Sequence, residues 1–191
     1  MEQWTEYGNK ISRYLRTETF PLAIKLFKSG EAIPAKLRKP RVRLGLCTMF
    51  NISRRTGESL WGTARDIYCF GPAILGMLDY EEEEWREFCD EEAKGMFHPM
   101  YTEELGSAKK FMHDLPRIEK GTFQAIACSP LEWTKIEPDF VLVFGNPAQI
   151  YRLAIAIIWK KEDTALLEVK IPCDDALCTY GLAQAYLTEE P

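Results

Sequence analysis

The stretch Asp139–Ile155, DFVLVFGNPAQIYRLAI, decides how this chain is read. From Phe140 to Phe144 it is apolar, without the polar alternation of a half-buried strand, and so predicts an interior strand covered on both faces. Gly145 permits a turn. Asn146 is a favoured N-cap, Pro147 sits where the missing N–H costs nothing, and Gln149 stands at the third position of a capping box. These signals predict a helix starting at once after the strand and running over 147–161. Only Gln149 and Arg152 interrupt its apolar surface, so it is expected to be buried.

Asn146, Gln149 and Arg152 are three apart and form a slanting polar stripe on one side of that helix. Two readings are open. Either Asn146 and Gln149 only cap the helix and Arg152 pairs with a structural carboxylate, or the stripe receives a ligand carboxylate or phosphate. The first is preferred because helix caps are common, while Arg152 together with the helix start, which carries about half a positive charge, supports the second. There is no G-x-G-x-x-G and no G-K-[ST], so dinucleotide and P-loop fingerprints are absent.

Working outward, Trp4–Leu15 has the spacing of an amphipathic helix, and Leu22–Phe27 and Phe123–Ala127 read as strands. A helix over Leu44–Arg55 is ended by Gly57, with a short strand starting at Ser59–Trp61. Cys69-Phe70-Gly71-Pro72 opens a short helix through Met77, and Asp79–Lys94 and Glu103–His113 read as further helices. Leu166–Val169 and Tyr180–Leu187 are expected to complete the sheet. The alternation predicts an α/β (mixed α+β) single domain over 1–191, in which a mixed, partly parallel central sheet is flanked by helices and residues 1–20 form an N-terminal helix. Only about ten residues separate Ser129-Pro130 from the next strand, the length of a short crossover. Were those strands parallel neighbours, Ser129 and Asn146 would share the carboxyl edge at which open sheets bind ligands.

Bulk properties narrow the classes. With 191 residues, 46% hydrophobic and 12% aromatic, one domain can bury a core without disulfides. A net charge of -5 argues against nucleic-acid binding. The N-terminus lacks the layout of a signal peptide, and the longest apolar run, Leu153–Trp159, is too short to span a bilayer. The expectation is a soluble cytoplasmic protein with no membrane partner, whose six cysteines are reduced thiols, metal ligands or core residues. The basic run Lys36–Arg43 and the acidic run Glu81–Glu92 read as solvated surface.

Cys69 precedes Gly71-Pro72, and a helix start favours thiolate chemistry or metal ligation. Cys47 shares a helical stripe with Asn51 and Arg54, so it too faces polar surroundings. Cys173 and Cys178 flank Asp174-Asp175, while Cys89 and Cys128 look like packing residues. No C-x-x-C occurs, and His98 and His113 have no ligand-like spacing to cysteine, so spacing alone points to no zinc or cluster site.

Five blocks occur in order: Cys47-Thr48-Met49-Phe50-Asn51 with Arg54-Arg55; Cys69-Phe70-Gly71 with Leu75-Gly76; Ser129-Pro130-Leu131; Glu137-Pro138-Asp139; and Gly145-Asn146-Pro147-Ala148-Gln149. In these blocks the chain, from about Pro21 onward, resembles the bacterial and archaeal domain of unknown function 169 family. The resemblance implies a protein of anaerobic metabolism, with family cysteines at Cys47, Cys69 and Cys178. It also implies a further C-terminal Cys-x-Gly element that this sequence lacks. It raises a cysteine-ligated redox cofactor, an iron–sulfur cluster, as the leading function. Cys47, Cys69, Cys178 and Cys173 are then the metal ligands, and Cys47 and Cys69 are expected to approach each other. The competing expectation is a noncatalytic small-anion-binding protein or accessory subunit using Ser129, Asn146, Gln149, Arg152 and Arg54. The corresponding partners are a redox protein or a small anionic ligand.

Overall fold

The computed structural model describes residues 2–78, 81–97, 102–159 and 177–188. It is a mixed α+β fold built on one four-stranded sheet of order β2-β3-β1-β4, with β1 at Leu22–Lys28, β2 at Leu60–Thr63, β3 at Phe123–Pro130 and β4 at Phe140–Leu142. Every neighbouring pair is antiparallel, from Leu22 opposite Pro130 to Lys28 opposite Phe123 in the long β1–β3 ladder.

The alternation of β1 sorts the core into two layers. Leu22, Ile24 and Leu26 point to one face and pack with Ile126 and Cys128 against α2 (Leu46–Thr56), α4 (Glu82–Glu92), α5 (Leu105–His113) and α7 (Leu177–Thr188). Ala23 and Phe27 point to the other face, with Ala125, Ala127, Leu131 and Ile136, and are covered by Trp4 and Ile11 of α1 (Glu2–Leu15). Local signals agree with these elements. Gly57 ends α2 in the left-handed conformation at φ 81°, which glycine adopts without strain. Glu81 and Glu84 close a reciprocal capping box on α4.

Three sequence expectations are corrected. The sheet is not partly parallel: among the described residues, parallel pairing occurs only as two single bridges, Arg38 with Leu60 and Leu44 with Ile67. β3 and β4 do run in the same direction, but β1 lies between them and is antiparallel to both. Next, β4 is a three-residue edge strand rather than an interior one, and Val141 is 38% exposed. The helix after it, α6 (Pro147–Trp159), therefore lies at the sheet margin instead of over its centre. Ala154 is buried, but Tyr151 and Ile157 are exposed and Trp159 is 85% exposed. Last, Tyr180–Leu187 belongs to α7, not to a strand. Thr179, Leu182, Ala183 and Tyr186 recur at helical spacing on the buried side, with Tyr186 edge-on to Phe123 at 5.2 Å. The strand expected over Leu166–Val169 lies outside the described residues.

Strand position sets the cost of truncation. Ile24→Ala, in β1 with neighbours on both edges and no exposure, is expected to lower unfolding free energy by about 2–5 kcal/mol. Val141→Thr on the edge should change it by no more than roughly 0.5 kcal/mol. Urea unfolding followed by circular dichroism measures both, and comparable losses would contradict the strand order.

Candidate thiol site

Two helix starts meet over the first core layer. Gly45 precedes α2, so Leu46 and Cys47 are its first residues; Phe70 precedes the four-residue α3 (Gly71–Ile74), which Cys69 approaches. The first turn of a helix leaves backbone N–H groups without intrahelical partners. One of them, Leu46 N–H, donates to Cys69 Sγ at 3.4 Å. The start of α2 thus holds the Cys69 thiol, and the Gly71 N–H also acts to lower it.

Gly71 makes the convergence possible. A Cβ there would stand 2.6 Å from Leu46 Cδ1, 2.7 Å from Thr179 Cγ2 and 3.4 Å from Cys69 Sγ. A side chain there would have to displace the Leu46 and Thr179 methyl groups, so glycine lets α2, α3 and the first turn of α7 close on this point without that shift. That turn carries Cys178 beside the buried Thr179. On the outer side the Tyr68 hydroxyl and the Cys47 sulfur lie 3.4 and 3.5 Å from where a Gly45 Cβ would be.

The electrostatics of Cys69 are divided. Burial pushes its thiol up, the Leu46 and Gly71 N–H donors pull it down, and charge on the neighbouring Cys47 pushes it up again. Cys47 is exposed and Cys69 half-buried. Cys89 and Cys128 are different. Both are buried and pushed up to about 12 by loss of solvent, so they are packing residues. Among the described residues no three His, Cys, Asp or Glu side chains gather as a metal-binding group. Cys173 lies outside those residues, while Cys178 is placed by its helix.

The expected anion set is only partly brought together. Ser129 is fully buried and shares a 2.7 Å hydrogen bond with the Ser59 hydroxyl, inside the sheet. Asn146 and Gln149 complete a capping box: Gln149 N–H donates to Asn146 Oδ1 at 3.0 Å and Asn146 N–H to Gln149 Oε1 at 2.8 Å. Gln149 Nε2 donates in addition to the Arg16 carbonyl at 2.7 Å, pinning α6 to the end of α1. Arg152 is exposed. Arg54 lies beside the turn, its guanidinium 4.1 Å from the Phe144 ring centroid. Sequence reasoning missed the Leu46 N–H donor and the wall formed by Thr179. The adjacency of Thr179 to Cys178 was the available signal, hidden by starting a strand at Tyr180 instead of a helix at Leu177.

Comparison with known proteins follows this geography. The model of the DUF169 family, described as uncharacterised ArCR, matches residues 10–191. The chain belongs to the DUF169 family. It is similar to an uncharacterised protein of the archaeon Methanocaldococcus jannaschii, with 24% identity over 97% of this chain and 77% of that protein. No solved structure matches it. The family match spans both helix starts, the first turn of α7 and the β4–α6 turn. Among the described residues of this DUF169 chain, no helix is long and apolar enough to cross a membrane.

Two outcomes are expected. At pH 8 a thiol pushed up to about 12 is ionised in only about one molecule in ten thousand. Of Cys47, Cys69, Cys89 and Cys128, alkylation mapped by mass spectrometry should therefore reach Cys47 first and Cys69 next, with Cys89 and Cys128 reacting only on unfolding. Gly71→Ala should cost about 1–3 kcal/mol by overpacking and should speed labelling of Cys69 as α7 is pushed away.

Proposed function

We propose that this chain is a cysteine-ligated iron–sulfur protein of anaerobic metabolism, acting in the reducing cytoplasm as an electron-transfer protein or redox accessory subunit. Cys47, Cys69 and Cys178 are the ligands, with Cys173, close before Cys178 in sequence, as the fourth. The observation that carries the reading is the Cys69 sulfur, which accepts the Leu46 N–H at the start of α2, while Cys47 lies in the first turn of the same helix.

The donor chemistry fits. Thiolates hold such clusters, and hydrogen bonds to the sulfurs adjust their potential. Burial opposes a lone thiolate at Cys69, and that opposition is what a neighbouring cation removes. Gly71 supports the same reading, because it brings the helix carrying Cys178 against the helix starts carrying Cys47 and Cys69. A bound cluster would supply one-electron transfer. The chain's own groups would hold the thiolates, and the exposure of Cys47 leaves one side open to a redox partner.

Anaerobic reconstitution with ferrous iron and sulfide, read by visible absorption and iron and sulfide content, tests this. The wild type should turn brown. Cys47→Ser, Cys69→Ser and Cys178→Ser should each lose most of the colour, and Cys89→Ser should keep it. Equal iron uptake in Cys69→Ser and wild type would overturn the proposal.

A further inference from the structure

The corner where the ends of α1 and α2 meet the start of α6 carries arginines that form no ion pair among the described residues. Arg54 Nε and Arg55 Nε donate to the same atom, Asn51 Oδ1, at 3.1 and 3.0 Å. Arg54 Nη1 reaches Thr19 Oγ1 at 3.4 Å, and its plane is held against Phe144, the residue before the Gly145-Asn146 turn. Arg16 lies across the corner, its carbonyl bound by Gln149, and Arg152 follows one helical turn beyond Gln149 on the same side. Among the described residues, none of these four arginines forms an ion pair, whereas Arg38, Arg86 and Arg117 each do.

Two like charges fixed on one amide oxygen repel, and burial and Arg55 both push the Arg54 guanidinium down. The end of α2 relieves this only in part, because its carbonyls amount to about half a negative charge against two full positive ones. With both Nε atoms occupied, the remaining guanidinium N–H groups present the planar forks that suit a phosphate's oxygens. Phe144 keeps one fork flat and in place.

We propose that this corner binds the phosphate group of a small soluble anion, with Arg54 and Arg55 as its principal contacts and Arg16 and Arg152 at its rim. The site is separate from the thiols and does not depend on any metal there. The Asn146–Gln149 box is already satisfied, so its part is to hold the β4–α6 turn and Phe144 in position.

Calorimetric titration with pyrophosphate, inorganic phosphate and sulfate, at constant ionic strength set with chloride, tests the proposal. The wild type should give saturable pyrophosphate binding with a Kd below roughly 1 mM. Arg55→Gln and Arg54→Lys should each weaken it by about tenfold or more, the second because it keeps the charge but removes the fork. Cys69→Ser should leave it unchanged, so failure of this site and failure of the thiol reading are distinguishable. Absence of saturable pyrophosphate binding at 10-fold above that Kd would overturn the proposal, as would equal affinity in the Arg55→Gln chain or affinity that follows ionic strength alone. Binding confined to vesicles with phosphoinositide headgroups or to RNA, with none to free pyrophosphate, would also overturn it.

Discussion

The antiparallel pairing of β1 on both of its edges is the constraint from which the rest of the structure follows. With β3 along one side, and β4 beside Leu22–Ile24 and the Asp139 carboxylate at Leu26 N–H on the other, its backbone finds partners on both edges, and its side chains can be buried on both faces. Leu22, Ile24 and Leu26 then found one apolar layer and Ala23 and Phe27 the other. The two layers differ in character. The second uses alanines at Ala23, Ala125 and Ala127, so α1 approaches closely, whereas the first receives several helices and the larger side chains. Asp139 locks the β1–β4 edge. Its carboxylate accepts Leu26 N–H at 2.7 Å and Lys25 Nζ at 2.9 Å, and its own N–H donates to the Ile24 carbonyl at 2.9 Å.

The thiol site is a consequence of what packs on the first layer. α2 and α3 both begin where they meet α7, and helix starts carry spare N–H donors that a sulfur can accept. Gly71 sets how near the three elements come, so its lack of a side chain acts on chemistry as well as packing. The other buried thiols show the contrast. Cys89 donates to the Met112 carbonyl and Cys128 to the Met49 carbonyl, and although Ser53 and the Leu60 N–H pull the Cys128 thiol down, burial carries both up to about 12. Full burial keeps these two as packing residues, whereas Cys69 is only half-buried.

The arginine corner and the thiol site lie along opposite ends of the same helix. α2 opens at Leu46 and Cys47 and closes at Arg54 and Arg55, so one rigid element ties both to the sheet. The start of the helix offers donors to sulfur, and its end offers carbonyls that tolerate cations. Phe20 N–H donates to the Arg54 carbonyl at 3.0 Å, which joins that end to the chain entering β1.

Local chemistry was legible in the sequence. The capping box at Asn146–Gln149, the Gly57 stop, the acidic helix and the β1 and β3 strands are set by residues within a few positions of one another, and the structure contains them. Cys47 and Cys69 were marked by their own neighbours, and both stand at helix starts. What lay beyond the sequence was decided by partners far apart in the chain. Apolarity from Phe140 to Phe144 looked like an interior strand, yet only the placement of β1 between β3 and β4 shows it to be an edge. A run such as Tyr180–Leu187 fits a short strand or a buried helix equally by composition. It became a helix because Leu182, Ala183 and Tyr186 found a surface with helical spacing to bury against. Sequence alone determined which residues carry cap, turn and thiol chemistry, since those depend on near neighbours. Only the tertiary structure decided which of them meet, because strand order and helix docking depend on burial summed over contacts between residues distant in the chain.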